Sequence, residues 1–397
     1  MQLREWIFWT SLLLVLYPYG IYPPLIVGLA WIKRRFLPPT QQTPSEWPEV
    51  TIVIPAYKEA KAVIPKMESI RRLDYPAEKL RILWVIATHE GDESFSSTME
   101  ALQGYPEAEV MIVPHRGKIH SLNEARKAVQ TEYALITDAD TILSPDSLRQ
   151  AVLEAVHHPK VGLVGGSRRV LPHQQTVSQN EAYYVLYDER LAWAESTWGC
   201  ALGVWGGFLL VRKSYWVEMP SGVVDDLYLN LEVNLRGGMT VIAPRAYAYE
   251  AGSALMPIEF RRKARIAYTA FHTLHQRFRV SEAFRHPLFL FFFFSHKFCR
   301  YLIAPVALLS LLLSTTLLLV WSPLPLYWVI WLFQVGAWVE GFVLLHYPTL
   351  KLPKGVGLPG YFVLAHLAQL VGFWKYIRRE DPLVVWQRLP RAEMQPY

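Results

Sequence analysis

Two aspartates one residue apart, Asp138 and Asp140, lie in the stretch TDADT, directly after an apolar run. Carboxylates at i and i+2 across a tight turn can both reach one hard cation, which takes oxygen ligands. A Mg2+ or Mn2+ held this way keeps positions open for phosphate oxygens and acts as a Lewis acid for a departing diphosphate. The same stretch also reads as ordinary turn chemistry, because Asp is favoured in turns that follow strands. A second pair, Asp225 and Asp226 in VVDDLYLNLEV, falls in the first turn of a helical stretch, where the helix dipole favours acids.

The elements around TDADT add weight to the functional reading and leave the turn reading open beside it. Residues 50–55 (VTIVIP) form an apolar, β-branched run that enters a loop, and residues 59–72 read as helix. Strands are predicted at 80–87, 111–114 and 133–137, with a helix at 122–130. Strands separated by helix-length crossovers predict an α/β, doubly wound, mostly parallel sheet. Ligands bind at the carboxyl ends of such strands, where both the PAYKEA loop and TDADT fall.

The rest of the chain is unlike a soluble protein. Of its 397 residues 52% are hydrophobic and 19% charged, and the imbalance is local. Residues 7–32 and 301–339 carry no charge, and 358–374 form a third apolar segment. A helical span needs about 20 apolar residues, so 7–32 supplies an anchor and 301–339 two spans, near 302–321 and 326–345. The N-terminal stretch is too long for a cleaved signal peptide and lacks a small-residue cleavage site. The expected division is an anchor (1–35), a catalytic domain (36–285) and a C-terminal membrane domain (286–397). Lys33, Arg34 and Arg35 close the first span and predict a multi-pass protein of the plasma (inner) membrane with its soluble domain in the cytoplasm. Three full C-terminal spans would put basic residues 375–379 on the far side, so 358–374 either lies in the interface or breaks the rule. The net charge of +6 flanks the spans, which points to membrane lipids and away from nucleic acid. Cys200 and Cys299 have no metal-ligand spacing, and a cytoplasmic disulfide is not expected. A transporter is excluded because the polar, motif-bearing part lies outside the spans.

The order TIVIPAYKEA, LDYPAEKLRILWVIA, RGKIHSLNEA and ALITDADT resembles family 2 glycosyltransferases with the GT-A fold. The match continues through EAYYVLYDERLAWAEST, GVWGGFLLVRKSYW and VVDDLYLNLEVNLRGG, and FSHKFCRYLIAP suits the membrane-bound branch, related to polysaccharide synthases and ceramide glucosyltransferase-like enzymes. The resemblance implies a nucleotide-sugar donor, usually a UDP-sugar, met by Pro55, Ala56, Tyr57 and Glu59. Lys118 matches a basic residue near the diphosphate and Asn123 a polar one beside it. Asp138 and Asp140 match the DxD positions, Asp140 as the more direct ligand of Mn2+ or Mg2+ and Asp138 nearer the ribose and diphosphate. Asp225 and Asp226 match the acidic pair whose second member is the general base of an inverting transfer. Arg262 and Arg265 match a motif that clamps a diphosphate or braces the active-site cover.

Two departures bear on specificity. Ile266 stands where many members carry Trp beside the acceptor. His89 and Glu90 replace the acidic pair or Asp-Gly that contacts the base, although Glu90 can still accept from a base N–H. The implied activity is a metal-dependent, inverting sugar transfer to a polysaccharide or lipid acceptor, with an auxiliary subunit as a possible partner. A single-transfer glycolipid synthase is the alternative within that class, and a catalytically inactive membrane scaffold is the alternative outside it.

Overall fold

The computed structural model describes residues 3–37, 44–171, 176–252, 255–348, 350, 353 and 355–380. The chain opens with α1 (Leu3–Leu16), a π-helical turn (Tyr17–Ile21) and α2 (Tyr22–Phe36). Pro18 has no N–H for the helical ladder, and the π turn absorbs that break. The soluble part follows as β1 (Val50–Ala56), α3 (Ala60–Arg71), β2 (Leu80–Thr88), α4 (Glu93–Leu102), β3 (Ala108–Pro114), α5 (Lys118–Ala128) and β4 (Tyr133–Ile136). It continues with β5 (Ile142–Leu143), α6 (Ser147–His157), β6 (Val161–Leu171), α7 (Thr176–Ser196), β7 (Leu209–Arg212), α8 (Asp225–Leu235), β8 (Met239–Ala251) and α9 (Met256–Arg277). Short helices α10 (Val280–Ala283) and α11 (Pro287–Phe292) lead into a π-helical segment, Phe293–Ile303. The chain then forms α12 (Ala304–Trp321), α13 (Pro325–His346) and α14 (Leu358–Ile377).

One sheet runs in the order β3-β2-β1-β4-β7-β6-β8-β5. Its first half is parallel, as the strand and helix alternation predicts. In β1, Val50, Ile52, Val53 and Ile54 are fully buried, because helices cover both faces of a central parallel strand. The second half is mixed: β7 is antiparallel to both β4 and β6, and β5 is antiparallel to β8. That reversal has a consequence for the site. Leu209 at the start of β7 pairs with Ile136 at the end of β4, which brings the GVWGGF loop against TDADT.

Helix α5 starts four residues earlier than the apolar pattern predicts. Gly117, at φ 88°, turns the chain in a conformation that side-chain-bearing residues avoid, and Lys118 becomes the first helical residue. Among the described residues three helical stretches are long and apolar enough to cross a membrane: Leu3–Phe36, Pro287–Trp321 and Pro325–His346. They meet where Phe8 packs with Leu311, Leu318 and Tyr327, and Ser11 donates to Ser310 at 2.8 Å. Helix α14 instead docks on α9. A Cβ on Gly372 would lie 2.4 Å from the Ala264 carbonyl oxygen, so glycine is what lets the two helices touch.

Candidate active site

The carboxyl ends of β1 and β4, the N-termini of α5 and α8, and the GVWGGF loop converge on one face of the sheet. Lys118 is the hinge of this arrangement. Its Nζ lies 2.7 Å from Asp138 Oδ1 and 2.8 Å from Asp225 Oδ2, so one cation ties the TDADT turn to the second acidic pair. A lysine at a helix N-terminus opposes the helix dipole. Burial also works against its charge, yet Asp138 and Asp225 hold its pKa well above the ordinary lysine value.

Asp225 and Asp226 open α8, as their sequence context predicts. Asp226 accepts from the Leu227 N–H at 2.6 Å and from the Gly206 N–H at 3.1 Å. Its pKa is nevertheless pushed up to about 6, first by burial and then by the negative Asp225, against the pull of Lys297 and Lys118. A carboxyl that titrates near neutrality suits a general base, which must take a proton and later release it. Asp226 opens into a cavity of about 280 Å3 whose walls include Trp205, Ile266, Lys297 and Tyr301.

Beneath TDADT lies a residue that the motif reading missed. Lys66 of α3 is fully buried, and its Nζ donates to Thr137 Oγ1 and to the Thr141 carbonyl, each at 2.7 Å. Thr137 Oγ1 in turn donates to the Gly207 carbonyl at 2.7 Å, joining the turn to the GVWGGF loop. Burial pushes the Lys66 pKa down to about 7, partly offset by Asp138 and Asp140. Its signal was a lysine within the apolar stripe of Val63, Met67 and Ile70. Lys66→Met leaves buried acceptors short of a donor, at about 1–3 kcal/mol. The expected result is a lower thermal midpoint for the full chain in detergent.

The remaining predicted residues divide into those that face the site and those that brace it. Tyr57 follows β1, and its ring stacks on His115 with centroids 3.7 Å apart, while its hydroxyl lies 3.2 Å from His89 Nε2. Burial and the nearby His89 lower the His115 pKa and favour the neutral ring. This aromatic shelf spans the ends of β1, β2 and β3, beside Pro55, Ala56 and Glu59. Glu90 is exposed and contributes its carbonyl to His89 Nδ1 at 2.8 Å. Asn123 is a brace: its amide donates to the Met219 carbonyl at 2.8 Å and accepts from the Met219 N–H at 2.9 Å. Arg262 is held by Glu181 at 2.5 Å and Glu259 at 2.7 Å, which fits bracing α9 against α7 better than holding a diphosphate. Arg265 lies one turn further along the same helix.

Asp138 and Asp140 are the metal-ligand candidates. Among the described residues no group of three or more His, Cys, Asp or Glu side chains forms a closed cage. An all-oxygen pair without a third protein ligand fits a Mg2+- or Mn2+-type ion that shares its coordination with a diphosphate. On the far wall of the cavity a buried network links the membrane segments to the domain. Glu195 Oε1 accepts from the Tyr22 hydroxyl at 2.7 Å and lies 2.8 Å from His296 Nδ1. Asp188 Oδ1 lies 3.2 Å from His296 Nε2 and 2.6 Å from Arg300 Nη1.

Residues 48–269 match the sequence profile of the family described as "Glycosyltransferase like family 2". The chain is similar to the poly-beta-1,6-N-acetyl-D-glucosamine synthase of Staphylococcus aureus, at 21% identity over 254 residues, covering 62% of this chain and 60% of that protein. The Staphylococcus epidermidis synthase of the same name is 23% identical over 212 residues, covering 50% of this chain and 49% of that one. The chain thus spans three fifths or less of the length of these relatives. Among solved structures, a mannosyltransferase from Pyrobaculum calidifontis, in complex with GDP-Man and Mn2+, superposes with a TM-score of 0.67 at 20% identity. That match covers 96% of this chain and all of the other.

Proposed function

The chain belongs to the glycosyltransferase-like family 2 and has a GT-A fold with apolar helices attached, and from that premise we propose a metal-dependent, inverting transfer from a nucleotide-sugar to an acceptor hydroxyl. The observation that carries the reading is Asp226: a carboxylate on the cavity wall, with a pKa near 6, joined through Asp225 and Lys118 to the TDADT turn. The donor lies with its base towards Tyr57, His89 and His115 and its diphosphate towards Lys118. UDP is the family's usual nucleotide. Asp226 takes the proton from the acceptor hydroxyl while the acceptor oxygen bonds to the anomeric carbon. The bond from that carbon to the diphosphate oxygen breaks on the opposite side, which inverts the centre. Lys118 offsets phosphate charge, and its bonds to Asp138 and Asp225 keep donor and base sites in register. Asp138 and Asp140 would hold a divalent ion, which when bound would supply charge neutralisation for the departing diphosphate.

The acceptor is a polysaccharide or a lipid. The curated relatives are named for polymer synthesis, which favours the first. All four carboxylates of the two motifs are present, which argues against an inactive scaffold. The anchor, catalytic and membrane parts follow the division at residues 35 and 285. The catalytic part faces the cytoplasm, because Lys33 and Arg34 at the basic end of α2 bond to Thr197 of this domain, at 2.8 and 2.9 Å. Three crossings return the chain to that side, where α14 lies against α9. Residues 375–379 then share the side of Lys33–Arg35, and the positive-inside rule is kept.

The test is to incubate the purified full chain with labelled nucleotide-sugars, with Mn2+ and with a chelator. One donor is expected to be consumed, and only with the metal. Equal consumption in chelator would remove the metal from the account, and an inert panel would leave the scaffold reading standing.

A further inference from the structure

The buried carboxylate of Glu195 has more partners than anchoring requires. It stands one residue before the end of α7 and is 0% exposed. Its Oε1 accepts from the Tyr22 hydroxyl of α2 and meets His296 Nδ1 of the π-helical segment. A carboxylate only accepts, which places a ring hydrogen of His296 on Nδ1. Both partners belong to stretches apolar enough to cross a membrane, so two membrane segments converge on one oxygen. Those bonds alone would dock the helices on the domain. The other oxygen, Oε2, accepts from the Leu202 N–H at 3.1 Å, at the head of the GVWGGF loop.

That loop has little room to shift. Just before it, Ala201 donates to the Thr240 carbonyl at 3.0 Å and accepts from the Asn230 amide at 2.7 Å. A Cβ on Gly203 would come 2.8 Å from the Ala192 Cβ, so the backbone after Leu202 lies directly on α7. At the far end the Gly206 N–H donates to Asp226, and the Gly207 carbonyl accepts from Thr137. Close-packed interiors transmit small displacements and do not absorb them. Where Leu202 is held therefore decides where the Gly206 N–H points.

Resting on the reading of Asp226 as the base, we propose that Glu195 is a positioning residue for the transfer. It seats Leu202, and through the loop the Gly206 N–H, against Asp226, and it is itself held in place by Tyr22 and His296. Correct docking of the membrane segments thereby becomes a condition for a correctly held base. An N–H bonded to a carboxylate favours its charged form. Asp226 also faces Asp225, which disfavours that form, and Lys118, Lys297 and the Leu227 N–H, which favour it. Loosening the Gly206 N–H leaves those groups in place, raises the Asp226 pKa and moves the acidic limb of kcat/KM to higher pH.

The test compares the unmodified full chain with Glu195→Gln and Tyr22→Phe in detergent, by backbone hydrogen exchange and by the pH profile of kcat/KM. Glutamine puts an NH2 where one of the accepting oxygens was, so at least one of the three donors loses its partner. Tyr22→Phe is milder, because it removes one donor and keeps the carboxylate, and it decides the matter should Glu195→Gln not fold. Exchange over residues 202–208 is expected to rise about ten-fold in Glu195→Gln and about three-fold in Tyr22→Phe, with α6 unchanged. The acidic limb should move to higher pH in the same order, with KM for the donor unchanged. Unchanged exchange over 202–208 would overturn the proposal. A rise of equal size in α6 would do the same, since that is lost stability alone, and so would a limb that stays in place while the loop exchanges faster. The exchange measurement needs no donor: its failure counts against Glu195, whereas an inert donor panel counts against the transferase reading.

Discussion

Asp226→Asn is expected to lower kcat/KM by about 10²–10⁴-fold, the usual contribution of a positioned general base. The amide keeps the size of the side chain, and its one oxygen can still accept from either the Leu227 or the Gly206 N–H but not from both, so the fold should be kept at a modest cost in stability. The pH profile carries the same information without a substitution. A general base works as the carboxylate, and burial with Asp225 pushes the Asp226 pKa up to about 6. Below that value kcat/KM should fall about ten-fold per unit, and above it level off. Asp225→Asn should move this limb to lower pH. It removes the negative neighbour that helps raise Asp226 and releases Lys118 from one of its two partners. A limb that stays in place would mean that Asp225 does not act on the base.

Asp140→Asn is the second large effect. Losing one of two carboxylates halves the protein's ligand set for the metal, and removal of one charge-stabilising group typically costs about 10²–10³-fold in kcat. The Mn2+ concentration for half-maximal turnover should also rise at least ten-fold. The variant leaves intact the Lys118 to Asp138 contact and the Lys66 bonds to Thr137 and Thr141, so the turn keeps its anchors. Unchanged turnover at unchanged Mn2+ would return TDADT to simple turn chemistry.

Most of the parallel half of the sheet was legible in sequence, since β4, residues 52–54 of β1 and residues 82–87 of β2 are apolar runs, and buried parallel strands need such runs. The antiparallel β7 was not, because its four residues carry no mark of direction; pairing with β4 settles it. The acidic pairs were legible because they follow a strand and start a helix. What joins them was not: Lys118 needed the early start of α5, set by Gly117. Lys66 was overlooked because a single lysine in an amphipathic stripe resembles a boundary residue, and only its complete burial reveals the brace. Lys297 and Arg300 had a plain signal, ionisable side chains inside an apolar run, which are default functional candidates. The FSHKFCRYLIAP stretch served only as a family likeness, so their place on the cavity wall came from the fold. Asn123 and Arg262 show the converse. Motif position brings them near the site, while their partners Met219, Glu181 and Glu259 show what they hold together.

The account stands on a single in-line displacement driven by Asp226. The most direct measurement is the anomeric configuration of the first product, read by proton NMR before it can equilibrate, from the donor that the chain consumes. Inversion relative to the donor is predicted; a product that retains the donor configuration would contradict it.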